Sequence, residues 1–140
     1  MKTYEKSDII FKWRLVQYRS PNGRLAITDW RKTLPIGTPR ADLDTFLRDM
    51  AKRDKWDYPV IDNLRGEPYK GFTELRWKSC KVQHRIFGYE LGAYEYLMLV
   101  GCTHKENYDP PGALETLIDR YKQIQRGEAS YVEYQLTTNG

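Results

Sequence analysis

Apolar side chains recur along this chain with two periods, and the change between them divides it into elements. Phe11 to Arg19 is rich in strand formers and runs into Ser20-Pro21-Asn22-Gly23, strong turn chemistry, so a first strand ends near Arg19. A short helix is expected around Ile27 to Leu34. Thr38 then supplies a cap with Pro39 in the first turn of a second helix, which reaches Asp54. In it, Leu43, Phe46, Leu47, Met50 and Ala51 fall at helical spacing on one face. Pro59, Gly66 and Pro68 break any period between Lys55 and Lys70, so that stretch reads as a connection.

From Phe72 the period becomes two, with Leu75 and Trp77 on one face of a strand and Glu74, Arg76 and Lys78 on the other. A turn at Ser79-Cys80 leads to a strand over Val82 to Tyr89, and Leu91-Gly92-Ala93 makes the next reversal. Tyr94 to Cys102 is almost wholly apolar, the mark of a central strand covered on both faces. Asp109 is expected to cap a last helix with Pro110 at its first position, and Leu114, Leu117, Ile118, Tyr121 and Ile124 form its buried stripe until Gly127. The tail from Ala129 to Gly140 is either a weak strand around Tyr131 to Tyr134 or frayed. Together these elements predict an α+β domain spanning 1–140, with its core in 11–127. Its architecture is a compact, mostly antiparallel sheet of about four strands, packed by two N-terminal helices and a C-terminal helix.

At 140 residues, 40% of them apolar and 30% charged, the chain can bury one core and remain soluble. No apolar run approaches the roughly 20 residues that cross a bilayer, and no hydrophobic signal region follows Met1 to Ser7, which argues for the cytoplasm and against a membrane. Cys80 and Cys102 are too few for a disulfide framework and lack zinc-finger spacing, so both read as reduced thiols. A net charge of +4 suits an acidic partner without identifying one.

Several chemistries lack their residues here. There is no phosphate-cradling Gly-rich loop, no His-Glu-x-x-His and no nucleophile elbow. Acidic side chains are scattered rather than clustered, which disfavours a two-metal nuclease and leaves an expectation of catalysis without metal or other cofactor. What remains is a cationic and imidazole set at the strand ends: Arg76 and Lys78; Lys81, His84 and Arg85; His104 and Lys105. Such groups suit RNA cleavage, in which a 2′-hydroxyl attacks the adjacent phosphate and needs a base, a stabiliser of negative charge and an acid. Each also has a structural account. Arg76 can pair with Glu74 or a cross-strand neighbour, His84 can be a half-buried sheet residue outside any catalytic set, and His104 can serve the start of the last helix through a hydrogen bond. Most of the tyrosines suit packing, and Tyr108, in the loop beside His104, is the one retained as a candidate.

Four segments carry a family resemblance. Gly71-Phe72-Thr73-Glu74-Leu75-Arg76 resembles the Gly-aromatic-x-Glu-Leu-Arg strand of HigB-type members of the RelE superfamily, and His84-Arg85-Ile86-Phe87 is similar to that family's Tyr-Arg-Val-Phe strand. Gly101-Cys102-Thr103-His104-Lys105 followed by Pro110-Pro111 resembles its Gly-Phe-x-Lys-Lys segment before a proline-capped helix, with His104 at the first lysine position. Tyr18 to Arg24 followed by Asp29-Trp30 is similar to the family's opening strand, turn and short helix. The likeness runs from about Trp13 to Gly127. It implies the toxin of a toxin–antitoxin pair, phage-derived in branch, acting as an mRNA interferase on the ribosome and held by a cognate antitoxin protein. Carried over, Arg76, Arg85, His104 and Lys105 bind and cleave the RNA; beside them, Tyr108 is expected to assist from its place next to His104, and Lys78 and Lys81 of the cationic set to contact the RNA. The same fold class also hosts ParE-like toxins that bind gyrase without catalysis, and inactive prophage-derived members. A catalytic set of this kind is expected to lie outside the core.

Overall fold

A computed structural model describes residues 11–104 and 107–136 of the chain. Its helices are α1 (Ala26–Arg31), α2 (Thr38–Lys52) and α3 (Ala113–Gln125). The strands are β1 (Arg14–Arg19), β2 (Ile61–Asn63), β3 (Thr73–Ser79), β4 (Val82–Gly92), β5 (Glu95–His104), β6 (Tyr108–Asp109) and β7 (Ser130–Glu133). The fold is α+β, as expected, but among the described residues the sheet has seven strands rather than about four and is mixed, with one parallel pairing among antiparallel ones. The strands run in the order β2-β3-β4-β5-β1-β7, with β6 on β5, and β1 lies parallel to β5.

Of the three additional strands, β2 and β6 are too short for periodicity to reveal, and β7 is the weak strand, one of the two alternatives expected for the tail. β2 is a three-residue strand inside the stretch read as a connection, held antiparallel to β3 through Ile61↔Leu75 and Asn63↔Thr73. β6 occupies Tyr108 and Asp109, so Asp109 does not cap the last helix and Pro110 is not its first residue. That helix starts at Ala113, after Gly112 at φ 75°, a left-handed value that a residue without Cβ adopts freely. The tail forms β7, which completes the edge by pairing antiparallel with β1.

β3 and β4 meet at a two-residue turn in which Cys80 and Lys81 both have positive φ, the geometry that suits the twist of a hairpin. Cross-strand register then fixes the faces. Leu75, Trp77, His84, Ile86, Gly101 and Thr103 share one face with Leu15 and Gln17. α1 and α2 cover it: Trp30 lies against Gly101, where an added Cβ would be 2.2 Å from the indole, and Phe46 stacks on Trp77 at 4.5 Å. Arg31 binds Asp44 through two hydrogen bonds of 2.9 and 2.8 Å, which ties α1 to α2. Leu43, Leu47, Met50 and Ala51 are buried, with Phe46 packed at their margin.

The opposite face carries Val16, Tyr18, Glu74, Arg76, Lys78, Arg85, Phe87, Cys102 and His104. α3 packs on part of it, with Tyr121 edge-on to Phe72 and Tyr89 and Gln123 bonded to the Tyr18 hydroxyl. Leu117 is fully buried, and Leu114, Ile118 and Ile124 pack around it. β5 joins the two layers: Tyr96 to Thr103 is buried throughout, in accord with the apolar run that marks a central strand.

Candidate functional site

Hairpin register brings part of the cationic set together. Arg85 on β4 lies opposite Cys102 of β5, two residues along from the Gln83↔His104 pair and so on the same face, and β6 sets Tyr108 opposite His104. Arg85 Nη2 is 3.4 Å from His104 Nδ1, and the His104 and Tyr108 rings are 4.9 Å apart. Tyr108 also meets Phe87 edge-on at 5.5 Å, which fixes the phenol over the sheet. A guanidinium only donates, so in this contact Nδ1 of His104 is the acceptor, and Nε2 is the ring nitrogen left for other partners. Burial, reinforced by the nearby Glu74 carboxylate, raises the Tyr108 pKa above its usual range and keeps the side chain a phenol donor at neutral pH.

Arg85 is not the free surface cation expected of an RNA contact. Its Nη1 donates to both oxygens of Glu74, at 2.9 Å to Oε2 and closer to Oε1, and the two side chains are only 15% and 8% exposed. Its Nε is buried with no acceptor among the described residues, a donor that costs stability while unpaired. The pair is a charge-assisted contact inside the protein, so the guanidinium acts on solvent-side groups mainly through Nη2 and His104. Cys102, beside it, is fully buried, and that burial pushes the thiol pKa up to about 12, which leaves it protonated and unreactive.

Arg76 belongs to a different cluster. Its Nε donates to the Pro59 carbonyl and its Nη2 to Asp62, both at 2.9 Å, and its guanidinium lies 5.3 Å from the Tyr58 ring centroid. It therefore fastens β2 and the preceding loop to β3, and pairs with Asp62 rather than with Glu74. Lys78 is exposed on the same face, and Lys81 is exposed at the hairpin turn. Lys105 lies outside the described residues. His84 is on the other face, 4% exposed, with Nδ1 3.1 Å from Thr103 Oγ1 and its ring stacked on Trp77.

Glu74 and Asp62 are the partners that sequence reasoning did not assign. Glu74 reaches Arg85 only because β3 and β4 pair with Glu74 opposite Phe87, a register that no single-strand pattern encodes. Asp62 sits in the stretch whose prolines and glycine hide a strand. Among the described residues no group of three or more His, Cys, Asp or Glu side chains is placed to hold a metal ion, and no helix is long and apolar enough to cross a membrane. No family model, curated protein or solved structure matches this chain.

Proposed function

We propose that the chain is a toxin of the RelE/HigB kind, an mRNA endoribonuclease that works in the cytoplasm on ribosome-bound message without a metal and is restrained by an antitoxin. The observation that carries the reading is the meeting of Arg85, His104 and Tyr108, from three different strands, on a sheet face. With Nδ1 accepting from Arg85, His104 is arranged to give a hydrogen bond from Nε2 to an anionic oxygen, and the Tyr108 phenol is a second donor beside it. As the 2′-oxygen bonds to phosphorus, its proton passes to water and the P–O5′ bond breaks; these groups suit stabilisation of the phosphorane and of the departing 5′-oxygen, which takes its proton from solvent or from these donors, and one such donor is worth ~10²-fold to 10³-fold in rate. Arg85, anchored by Glu74, holds the imidazole in this arrangement. Lys78 and Lys81 supply exposed positive charge for the RNA backbone, a contribution that salt weakens. An antitoxin that covers this face would present acidic side chains to the same lysines.

One observation favours a second reading. Arg76 and Arg85 are both engaged by carboxylates, as suits a non-catalytic toxin of the ParE kind that only binds its target. Sequencing of RNA ends after brief induction separates the two. The ribonuclease produces new, reproducible ends that vanish in a folded His104→Ala protein. Intact RNA with DNA-damage signalling in the parent would replace it with the gyrase reading.

A further inference from the structure

A cavity lies away from the His104 cluster. It has a volume of about 840 Å3 and occupies a gap in the sheet. β1 pairs with β5 only as far as Gln17↔Met98, and the next pairing on that edge is Thr103↔Asp109 of β6. Between them β5, still paired with β4 on its other edge, has no strand on this one among the described residues. α1 closes the gap on one side of the sheet and α3 on the other, with Trp30, Leu34 and Pro110 among the apolar walls. Such a volume is that of a site for a small organic molecule, for which pockets run from roughly 300 to 1,000 Å3 and are mostly apolar with a few fixed polar groups.

Arg120 is the fixed group. It lines the cavity from α3, donates from Nη1 to the Leu99 carbonyl at 2.7 Å, and lies with its guanidinium 4.8 Å from the Tyr18 ring centroid. The Leu99 carbonyl is available because the shift in register between Phe87 and Gly88 leaves Leu99 as an extra residue in the β4–β5 ladder. No carboxylate pairs with Arg120 among the described residues, although its burial pulls the guanidinium pKa down. A half-buried cation held by one carbonyl and one ring, without a counterion, is costly in an empty protein and well placed to receive an anion. Among the described residues its Nε and Nη2 have no acceptor, which leaves two parallel N–H groups, the fork that matches a carboxylate. Arg24, Asp29 and Asp109 also line the space but are exposed at its rim, where water screens them, so the interior holds a single positive charge.

We propose that this cavity binds a small organic carboxylate with an apolar body, its carboxylate on Arg120 and its body against Trp30 and the prolines. The site is separate from the His104 cluster and does not rest on the ribonuclease reading. Octanoate, 1-octanol, octylammonium and octyl phosphate serve as probes, titrated into the full chain while the Trp30 indole resonance and the heat of binding are followed. Octanoate is expected to bind saturably and shift Trp30, octanol to bind at least about tenfold more weakly, and octylammonium not to saturate. Arg120→Met is expected to weaken octanoate at least about tenfold while leaving octanol unchanged. Thr116→Phe keeps the arginine but fills the space from α3, and should block octanoate and octanol alike; it decides the matter if Arg120→Met does not fold. Absence of saturable octanoate binding, equal binding of octylammonium, or undiminished binding by either folded variant would overturn the site. Tighter binding of octyl phosphate than of octanoate by tenfold or more would overturn the carboxylate assignment.

Discussion

Replacing Glu74 by Leu strips the counterion from a guanidinium that is only 15% exposed and already has one nitrogen without an acceptor among the described residues. The structure offers Arg85 little else: His104 Nδ1 at 3.4 Å is a long contact, and Cys102 beside it is a neutral thiol. Breaking a buried pair from one side typically costs about 3–5 kcal/mol, because the remaining charge stays buried. For 140 residues, an unfolding entropy of about 2.1 cal/mol/K per residue gives about 0.3 kcal/mol/K, so a loss of about 3 kcal/mol lowers Tm by about 10 °C. Arg85→Met should cost a similar amount by stranding Glu74. The double variant carries no buried charge and should lie within about 1 kcal/mol of the parent, leaving a coupling of several kcal/mol in the double-mutant cycle. Urea unfolding followed by tryptophan fluorescence measures all four proteins. A cost below about 1 kcal/mol for Glu74→Leu, or single costs that simply add in the double variant, would refute the claim that this pair is a buried, mutually dependent unit.

Other consequences are open to equally direct checks. Gly101→Ala sets a methyl carbon 2.2 Å from the Trp30 indole, and Gly88→Ala sets one 1.9 Å from the Leu97 carbonyl, where backbone cannot yield. Gly101→Ala should therefore lose about 1–3 kcal/mol in urea unfolding and Gly88→Ala more, with Gly92→Ala as the control that meets nothing within 4 Å. Ellman's reagent should titrate one thiol per folded chain, the exposed Cys80, and two in guanidinium, since Cys102 is buried with its pKa pushed to about 12. Burial lowers the pKa of His84 below its ordinary value, so the unfolded chain takes up a proton there before the folded one does. Stability should be fully present above about pH 6.5 and decline as pH falls through the folded pKa, and His84→Gln should flatten that part of the Tm–pH curve.

The elements that sequence reveals best are those whose burial is decided locally. The stripe of Leu43, Leu47 and Met50 lies on one face of α2 because helical spacing alone aligns it, and the alternation around Leu75 and Trp77 sorts the faces of β3 for the same reason. β2 and β6 are three and two residues long and exist only because a longer neighbour offers free backbone groups, so no period announces them, while the four residues of β7 leave only the weak strand signal of the tail. The parallel pairing of β1 with β5 is likewise a property of the assembled sheet. Residue types at the strand ends were enough to single out Arg85, His104 and Tyr108, which do come together. They were not enough to separate Arg76, because its partners Asp62 and Pro59 come from a stretch without regular pattern, or to foresee that Glu74 would neutralise Arg85. The cavity beside Arg120 left no trace at all, since it depends on where β1 stops relative to β5.

The chemistry of the RNA ends left by the purified protein tests the proposed activity most directly. Programmed ribosomes carrying a defined message are incubated with the protein in parallel with a message bearing a single 2′-deoxy nucleotide at the mapped position. Attack by the 2′-hydroxyl predicts cleavage that leaves a 2′,3′-cyclic phosphate, fails at the deoxy position, and slows by ~10²-fold or more in a folded His104→Ala protein. Cleavage that proceeds unchanged through the deoxy nucleotide, or a parent protein that leaves the message intact, would contradict it.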